Sequence, residues 1–313
     1  MKRSIYQLGG SLLLLLFVFT ASAQQTASLL QFKTTTELQQ FLSYSQQRIP
    51  LISAHRGGPQ KGFPENALET FQHSTLFQPV IIECDISLSK DSVMVLMHDN
   101  RLDRTSTGTG LIESYTYEEL RKFKLKDNDG DTTDFRIPNL DEVLRWGKNK
   151  VIFTLDVKRG VPYAKVVEAV RRCKAEASVV LITYSATQAA EVYQLAPDLM
   201  ISASIQRKED LERLNGLGIP SNRLVAFIGV KEADEALYQL LHENKILCIL
   251  GTMGNLDKQA VAKGDKNYYD FVTRGADILS TDRPVEAGRM LQQYRDDNQL
   301  HSAHIKQQPV SKK

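Results

Sequence analysis

Ile81-Ile82-Glu83-Cys84-Asp85-Ile86 and Val151-Ile152-Phe153-Thr154-Leu155-Asp156-Val157-Lys158 decide the fold of this chain. Each is a short β-rich run with charge at its end: Glu83 and Asp85 in the first, Asp156 and Lys158 in the second. Residues two apart in a strand share a face. Glu83 and Asp85 therefore project together, with Cys84 turned toward the opposite layer, and Asp156 pairs with Lys158 in the same manner.

The rhythm of these two runs extends in both directions. Strand candidates at 51–55, 81–86, 151–157, 180–184, 200–205, 224–230, 246–251 and 277–280 alternate with amphipathic stretches at 66–76, 163–175, 186–195, 208–214, 233–243 and 268–274. A further helical pattern, 284–294, follows the last strand. Alternation of this kind predicts right-handed βαβ units and a parallel sheet. Eight strands favour an α/β fold closed into a (β/α)8 TIM barrel, with an open doubly wound sheet as the structural alternative. No GxGxxG or P-loop opens a helix, so nothing points to a nucleotide site. The rhythm breaks at about 93–134, where a short β run, 93–97, leads into a loop rich in Thr, Gly and Asp. A small insertion there, after strand 2, would help shape a site at the C-terminal face of the barrel.

The chain opens with Lys2 and Arg3, an apolar run at 12–19 and Ala21-Ser22-Ala23 before Gln24, the three parts of a cleavable secretory signal. Eight strongly apolar residues are too few for a membrane anchor, which needs about 20. The expected plan is a signal peptide at 1–23, a helical lead-in at 24–50, a barrel at 51–295 and a polar tail at 296–313, frayed from His301 onward. Export to a periplasmic or external compartment follows. Cleavage would remove Lys2 and Arg3 but no acid, leaving 37 acidic residues balanced by as many Lys and Arg. A balanced surface gives no global attraction to nucleic acid or an anionic membrane, so recognition of phosphate must be local. Cys84, Cys173 and Cys248 make an odd set without close spacing and are expected to be buried thiols.

The polar residues concentrate at strand ends. His55 and Arg56 end the first strand, Glu83 and Asp85 the second, Asp156 and Lys158 the third, and His98 ends the run at 93–97. Three carboxylates at one barrel mouth repel one another unless a cation neutralises them. Oxygen-only ligation by Glu83, Asp85 and Asp156 suits Ca²⁺ or Mg²⁺ better than zinc. His55 and His98 are the acid–base candidates, since imidazole titrates near neutral pH. Arg56 and Lys158 are candidates for binding phosphate oxygens, and Gly57-Gly58 for letting the backbone approach that anion. The other histidines, His73, His242, His301 and His304, read as surface residues.

His55-Arg56-Gly57, Pro64-Glu65-Asn66, Glu83-Cys84-Asp85, His98-Asp99 and Leu102-Asp103-Arg104-Thr105 stand in an order and spacing that resembles the glycerophosphodiester phosphodiesterase family. The match continues through Ile137-Pro138-Asn139-Leu140-Asp141-Glu142-Val143-Leu144, Asp156-Val157-Lys158 and Ser280-Thr281-Asp282-Arg283-Pro284. The resemblance implies a barrel with a small insertion after strand 2 and one divalent cation held by Glu83, Asp85 and Asp156. It implies His55 and His98 as the acid–base pair and Glu65 as an outer ligand or orienting group. The implied reaction is hydrolysis of a small-molecule glycerophosphodiester to glycerol 3-phosphate and an alcohol. Asp156 stands where the family usually has Glu, and Ala67 where it usually has Thr. Leu250-Gly251-Thr252-Met253-Gly254-Asn255 replaces a usual Trp-Thr-Val-Asn pattern that helps line the pocket. The competing readings are a related barrel phospholipase that releases a cyclic phosphate, a non-catalytic phosphodiester-binding protein, and a carbohydrate-active barrel.

Overall fold

The structure, a computed structural model, describes residues 26–310. The signal-like segment at 1–23 lies outside the described residues. Strands β1 (Thr26–Leu30), β2 (Leu51–Ala54), β3 (Val80–Leu88), β4 (Met94–Leu96), β5 (Lys124–Lys126), β6 (Thr132–Arg136) and β7 (Ile152–Val157) occupy the first half of the chain. Next come β8 (Val179–Thr183), β9 (Met200–Ser204), β10 (Leu224–Phe227), β11 (Leu247–Gly251), β12 (Ile278–Thr281) and β13 (Ile305–Pro309). The order β2-β12-β11-β10-β9-β8-β7-β3, with β2 also paired to β3, closes a barrel of eight parallel strands. The eight strands expected from the sequence are the eight barrel staves.

The helices in chain order are α1 (Thr35–Phe41), α2 (Leu68–Ser74), α3 (Tyr117–Leu120), α4 (Leu140–Gly147), α5 (Tyr163–Cys173) and α6 (Ala186–Leu195). They continue with α7 (Lys208–Gly216), α8 (Glu235–Glu243), α9 (Asn255–Lys263), α10 (Lys266–Thr273) and α11 (Pro284–Asp297). Two cores result from the alternation of side chains along each stave. Outward-facing residues such as Ile82, Cys84, Phe153, Leu155 and Leu181 pack under the helices. Inward-facing residues at the strand starts, among them Leu51, Ile81, Ile152, Val180 and Met200, fill the N-terminal end of the barrel. Leu38 and Leu42, with Leu30 and Phe32, cap that end. All three cysteines are buried free thiols. Among the described residues no helix is long and apolar enough to cross a membrane.

The insertion forms a lobe with its own core, in which Val95, Met97, Leu102, Ile112, Leu120 and Leu125 are buried together. Its attachment explains the length of β3. That strand overshoots the barrel, and its last residues pair antiparallel with β4, Ile86 opposite Leu96 and Leu88 opposite Met94. The Met97 amide donates to the Asp85 carbonyl at 3.0 Å. His98, the next residue, is thereby returned to the mouth.

Three expectations need correction. The tail is not frayed over the described residues: β13 pairs antiparallel with β1 from Thr26↔Pro309 to Leu30↔Ile305. His304 stacks on Phe32, with ring centroids 4.7 Å apart, and hydrogen-bonds the Gln31 carbonyl. Nor is His242 a surface group. It stacks on Tyr44 at 3.6 Å and hydrogen-bonds Asp277, which is also held by Arg48 and the Cys248 amide at the base of the barrel. His73 is half-buried against the Phe63 ring.

The clasp between β1 and β13 sits on the cap of the barrel base, remote from the strand ends that carry the acids. Removing residues 301–313 should cost about 1–2 kcal/mol, the worth of a few solvent-exposed ladder bonds. A thermal melt should therefore show a midpoint lower by a few degrees, and steady-state kinetics should show unchanged turnover.

Candidate active site

Parallel register does most of the assembly. Asp85 on β3 lies directly beside Asp156 on β7, and Glu83 sits one inward position below Asp85. Oxygens of Glu83, Asp85 and Asp156 lie within 4.8 Å of one another, and all three residues are buried. Burial, reinforced by the charge of Asp85, pushes the Glu83 carboxyl well above its ordinary range, against the pull of His55 and of the Arg56 amide. Burial also opposes ionisation of Asp85, but the Lys158 ammonium and hydrogen bonds from Lys158 and Asn66 outweigh it and hold Asp85 low. Lys158 Nζ stands 2.7 Å from Asp85 and 2.6 Å from Asp156. Lys158, expected to bind phosphate oxygens, stands here between two of the acids.

The charge count identifies what the cluster can hold. Were all three carboxylates ionised, the single ammonium would leave two negative charges unmatched, and the raised Glu83 carboxyl reflects burial and that excess. Arg56 does not remove them: its guanidinium is 3.9 Å from Asp85 but donates to both Glu65 oxygens, at 3.1 and 3.0 Å. Asp156 Oδ1 is buried without a hydrogen-bond partner, an expensive state for a carboxylate oxygen. Oxygen-only donors with that deficit fit one hard divalent cation.

Glu65 is 5% exposed and accepts from Arg104 as well as Arg56, at 2.8 and 2.9 Å. With both oxygens engaged by guanidiniums, its geometry supports the orienting role rather than ligation. Arg104 in turn donates to Asp99 at 2.7 and 2.9 Å, and that hydrogen bond holds the Asp99 carboxyl well below the usual range. Asn66, in a left-handed conformation (φ 58°), clamps Asp85 from two sides: its Nδ2 donates to Oδ2 at 2.7 Å and its Oδ1 accepts from the Asp85 amide at 3.0 Å.

Each imidazole is oriented by a carboxylate. His55 Nδ1 lies 2.7 Å from Asp282, and His98 Nδ1 lies 2.7 Å from Asp99. Burial lowers the basicity of His55, but the bond to Asp282 and the nearby Glu83 charge outweigh it and raise its pKa above the ordinary value. Asp282 is itself held in place. Asp257, buried on α9, accepts from the Asp282 amide, from Thr281 Oγ1 and from the Tyr268 hydroxyl, each at 2.9 Å. Asp282, Asp99, Arg104 and Asn66 lie within the motifs that carry the family resemblance but acquire their roles only through these contacts. The helix α9 and its Asp257 have no counterpart among the elements expected from the sequence.

Packing requires glycine at positions 57 and 58. His55–Gly57 is a tight turn in which Arg56, Gly57 and Gly58 all have positive φ. A Cβ on Gly57 would stand 2.3 Å from the Phe71 ring, and one on Gly58 2.6 Å from Pro284. The turn frees the Arg56 amide to donate to Glu83 at 2.6 Å. Tyr184, 61% exposed overall, borders the same cavity, and desolvation of its hydroxyl, reinforced by the Asp156 charge, raises its pKa.

The sequence model of the "Glycerophosphoryl diester phosphodiesterase family" matches residues 55–247, more than half of the chain. The chain belongs to this family. A solved glycerophosphoryl diester phosphodiesterase from Parabacteroides distasonis is 36% identical and superposes with a TM-score of 0.80, over 85% of this chain and 94% of that one. Among curated relatives, an uncharacterized protein, YqiK, from Bacillus subtilis is 32% identical over 47% of this chain and 63% of its own length. A glycerophosphodiester phosphodiesterase from Caldanaerobacter subterraneus is 29% identical over 50% of this chain and 67% of its own. The chain thus aligns with less than two thirds of the Bacillus relative.

Glu65 binds the two guanidiniums that flank the acids, so its loss should be felt as misplacement as well as instability. Glu65→Ala strands Arg56 beside the barrel and should cost no more than the about 3–5 kcal/mol typical of a broken buried ion pair. Glu65→Gln keeps the shape and should cost less. Chemical denaturation of the two variants should order them that way, and equal midpoints would contradict the clamp.

Proposed function

We propose that this chain hydrolyses glycerophosphodiesters to glycerol 3-phosphate and an alcohol, with Glu83, Asp85 and Asp156 holding one divalent cation, Ca²⁺ or Mg²⁺. The observation that carries this reading is a buried cluster of three acids matched by a single ammonium, flanked by two imidazoles that are each oriented by a carboxylate. The family membership supports the substrate class. The cation, when bound, would polarise phosphoryl oxygens and stabilise charge gained on the way to the transition state.

The remaining chemistry belongs to side chains. One of His55 and His98 takes the proton from the glycerol hydroxyl next to the phosphate, whose oxygen then bonds to phosphorus. The other gives its proton to the departing alkoxide as its bond to phosphorus breaks. Water opens the resulting cyclic phosphate, and the two imidazoles exchange roles. Asp282 and Asp99 stabilise whichever ring is protonated and fix which nitrogen faces the substrate. Arg56, positioned by Glu65, and Lys158 lie beside the space where the phosphate's extra negative charge develops.

Chelation should abolish turnover of a glycerophosphodiester, and Ca²⁺ or Mg²⁺ should restore it. Full turnover by protein shown to be metal-free by elemental analysis would remove the cation from the scheme. His55→Ala and His98→Ala should each lower kcat by at least about 10²–10⁴-fold with the fold retained. The double variant should be little worse, because the pair acts as a unit.

Export remains part of the proposal and rests on the basic, apolar and small-residue order of the first 23 residues. Sequencing of the protein recovered from a bacterial envelope should find a start at or near Gln24, and an intact Met1 would refute it.

A further inference from the structure

The inward-facing layer that holds Glu83, one position beneath Asp85 and Asp156, is not wholly apolar. Ser53 on β2, Thr154 on β7, Ser202 on β9 and Ser280 on β12 are each at most 5% exposed and line one cavity of ≈ 230 Å³ with Glu83. Ile182, Phe227 and Ile249 form its other flank. Large aliphatic side chains fill the base, and above it small hydroxylic ones on β2, β7, β9 and β12 hold space open.

Thr154 is the most informative of these. It is 4% exposed, stands beside Glu83 in the parallel register, and its Oγ1 has no hydrogen-bond partner. An unpartnered buried hydroxyl destabilises a fold, and Val would fill the same volume on a strand without that cost. A donor and acceptor held unmet inside a cavity is the preorganised half of a hydrogen bond to a ligand. The cavity couples hydroxyls on one side with aliphatic and aromatic surface on the other. That is the complement of a polyol, which presents hydroxyls along one edge and C–H groups along the other.

We propose that Thr154, with Ser53, Ser202 and Ser280, floors a polyol-binding well that seats a hydroxyl-bearing arm of the substrate beside Glu83 and beneath Asp85 and Asp156. The inference rests on the phosphodiesterase reading for the identity of the substrate, though not for the existence of the well. Two sources carry the chemistry: the glycerol arm, or a leaving alcohol that is itself a polyol. A bond made equally in ground and transition states raises KM with kcat little changed.

The test compares wild type with Thr154→Val and Thr154→Ser. Thr154→Val should melt no lower than wild type, because it removes an unmet hydroxyl. It should raise KM about tenfold, the worth of one hydrogen bond, and Thr154→Ser should recover most of the loss. A rise with both glycerophosphocholine and glycerophosphoinositol assigns the well to the glycerol arm. A rise confined to glycerophosphoinositol assigns it to the leaving alcohol. Calorimetric titration with glycerol 3-phosphate reads the glycerol case without turnover and should show the same weakening. If wild type binds glycerol 3-phosphate and Thr154→Val weakens it, yet no diester is turned over, the hydrolase reading falls and the well stands. If Thr154→Val matches wild type in KM for both diesters and in binding glycerol 3-phosphate, the well is overturned while the hydrolase reading is untouched.

Discussion

The mouth of this barrel is organised around mutual repulsion among Glu83, Asp85 and Asp156. In-register pairing of β3 with β7 fixes two of these acids side by side, and the period of the strand fixes the third beneath. Burial then denies them the water that would screen them. The surrounding residues answer that repulsion only in part. Lys158 supplies one charge, Asn66 supplies two hydrogen bonds to Asp85, and the Arg56 amide supplies one to Glu83. Meanwhile Arg56, Glu65, Arg104 and Asp99 form a chain of alternating charge that balances itself. The deficit at the centre is therefore specific: neighbouring cations are already committed elsewhere.

The same two strands also govern the reach of the insertion. Because β3 continues past the rim and takes β4 as an antiparallel partner, the lobe is bonded to the strand that carries Glu83 and Asp85. His98 thus moves with the acids rather than with a loose loop. On the other side of the mouth, Asp257 fixes the turn that carries Asp282, so His55 is positioned through two successive carboxylates. The two imidazoles reach the site by unrelated routes, one through a sheet extension and one through a helix placed after β11.

Much of this was legible because the barrel staves carry apolar and β-branched runs, and because charge falls at their ends. Strand existence and the faces of Glu83, Asp85, Asp156 and Lys158 follow from that pattern alone. The orienting carboxylates were not legible. An Asp beside a strand end has no local signature of the His it will meet, and Asp282 meets His55 across 227 positions. The clasp was hidden in the same way: Ser28 and Gln307 are 279 positions apart, and the residues of β13 beyond Ile305 are polar and exposed. The short α9 follows a glycine that offers no capping side chain and has a weakly amphipathic sequence, so nothing in its composition announced that Asp257 would be the group holding the last turn of the barrel. His242 misled because its place near a helix end suggests solvent, whereas Tyr44, contributed by the lead-in, covers it.

The pairing of Thr26 with Pro309 has a geometric consequence for handling and display. Both described ends leave the molecule next to each other at the closed base, while the acids, histidines and hydroxyl-lined cavity open at the opposite end. The strands at these two positions therefore leave the barrel on the side away from its mouth, so a tether attached at Thr26 or Pro309 would hold the protein from behind.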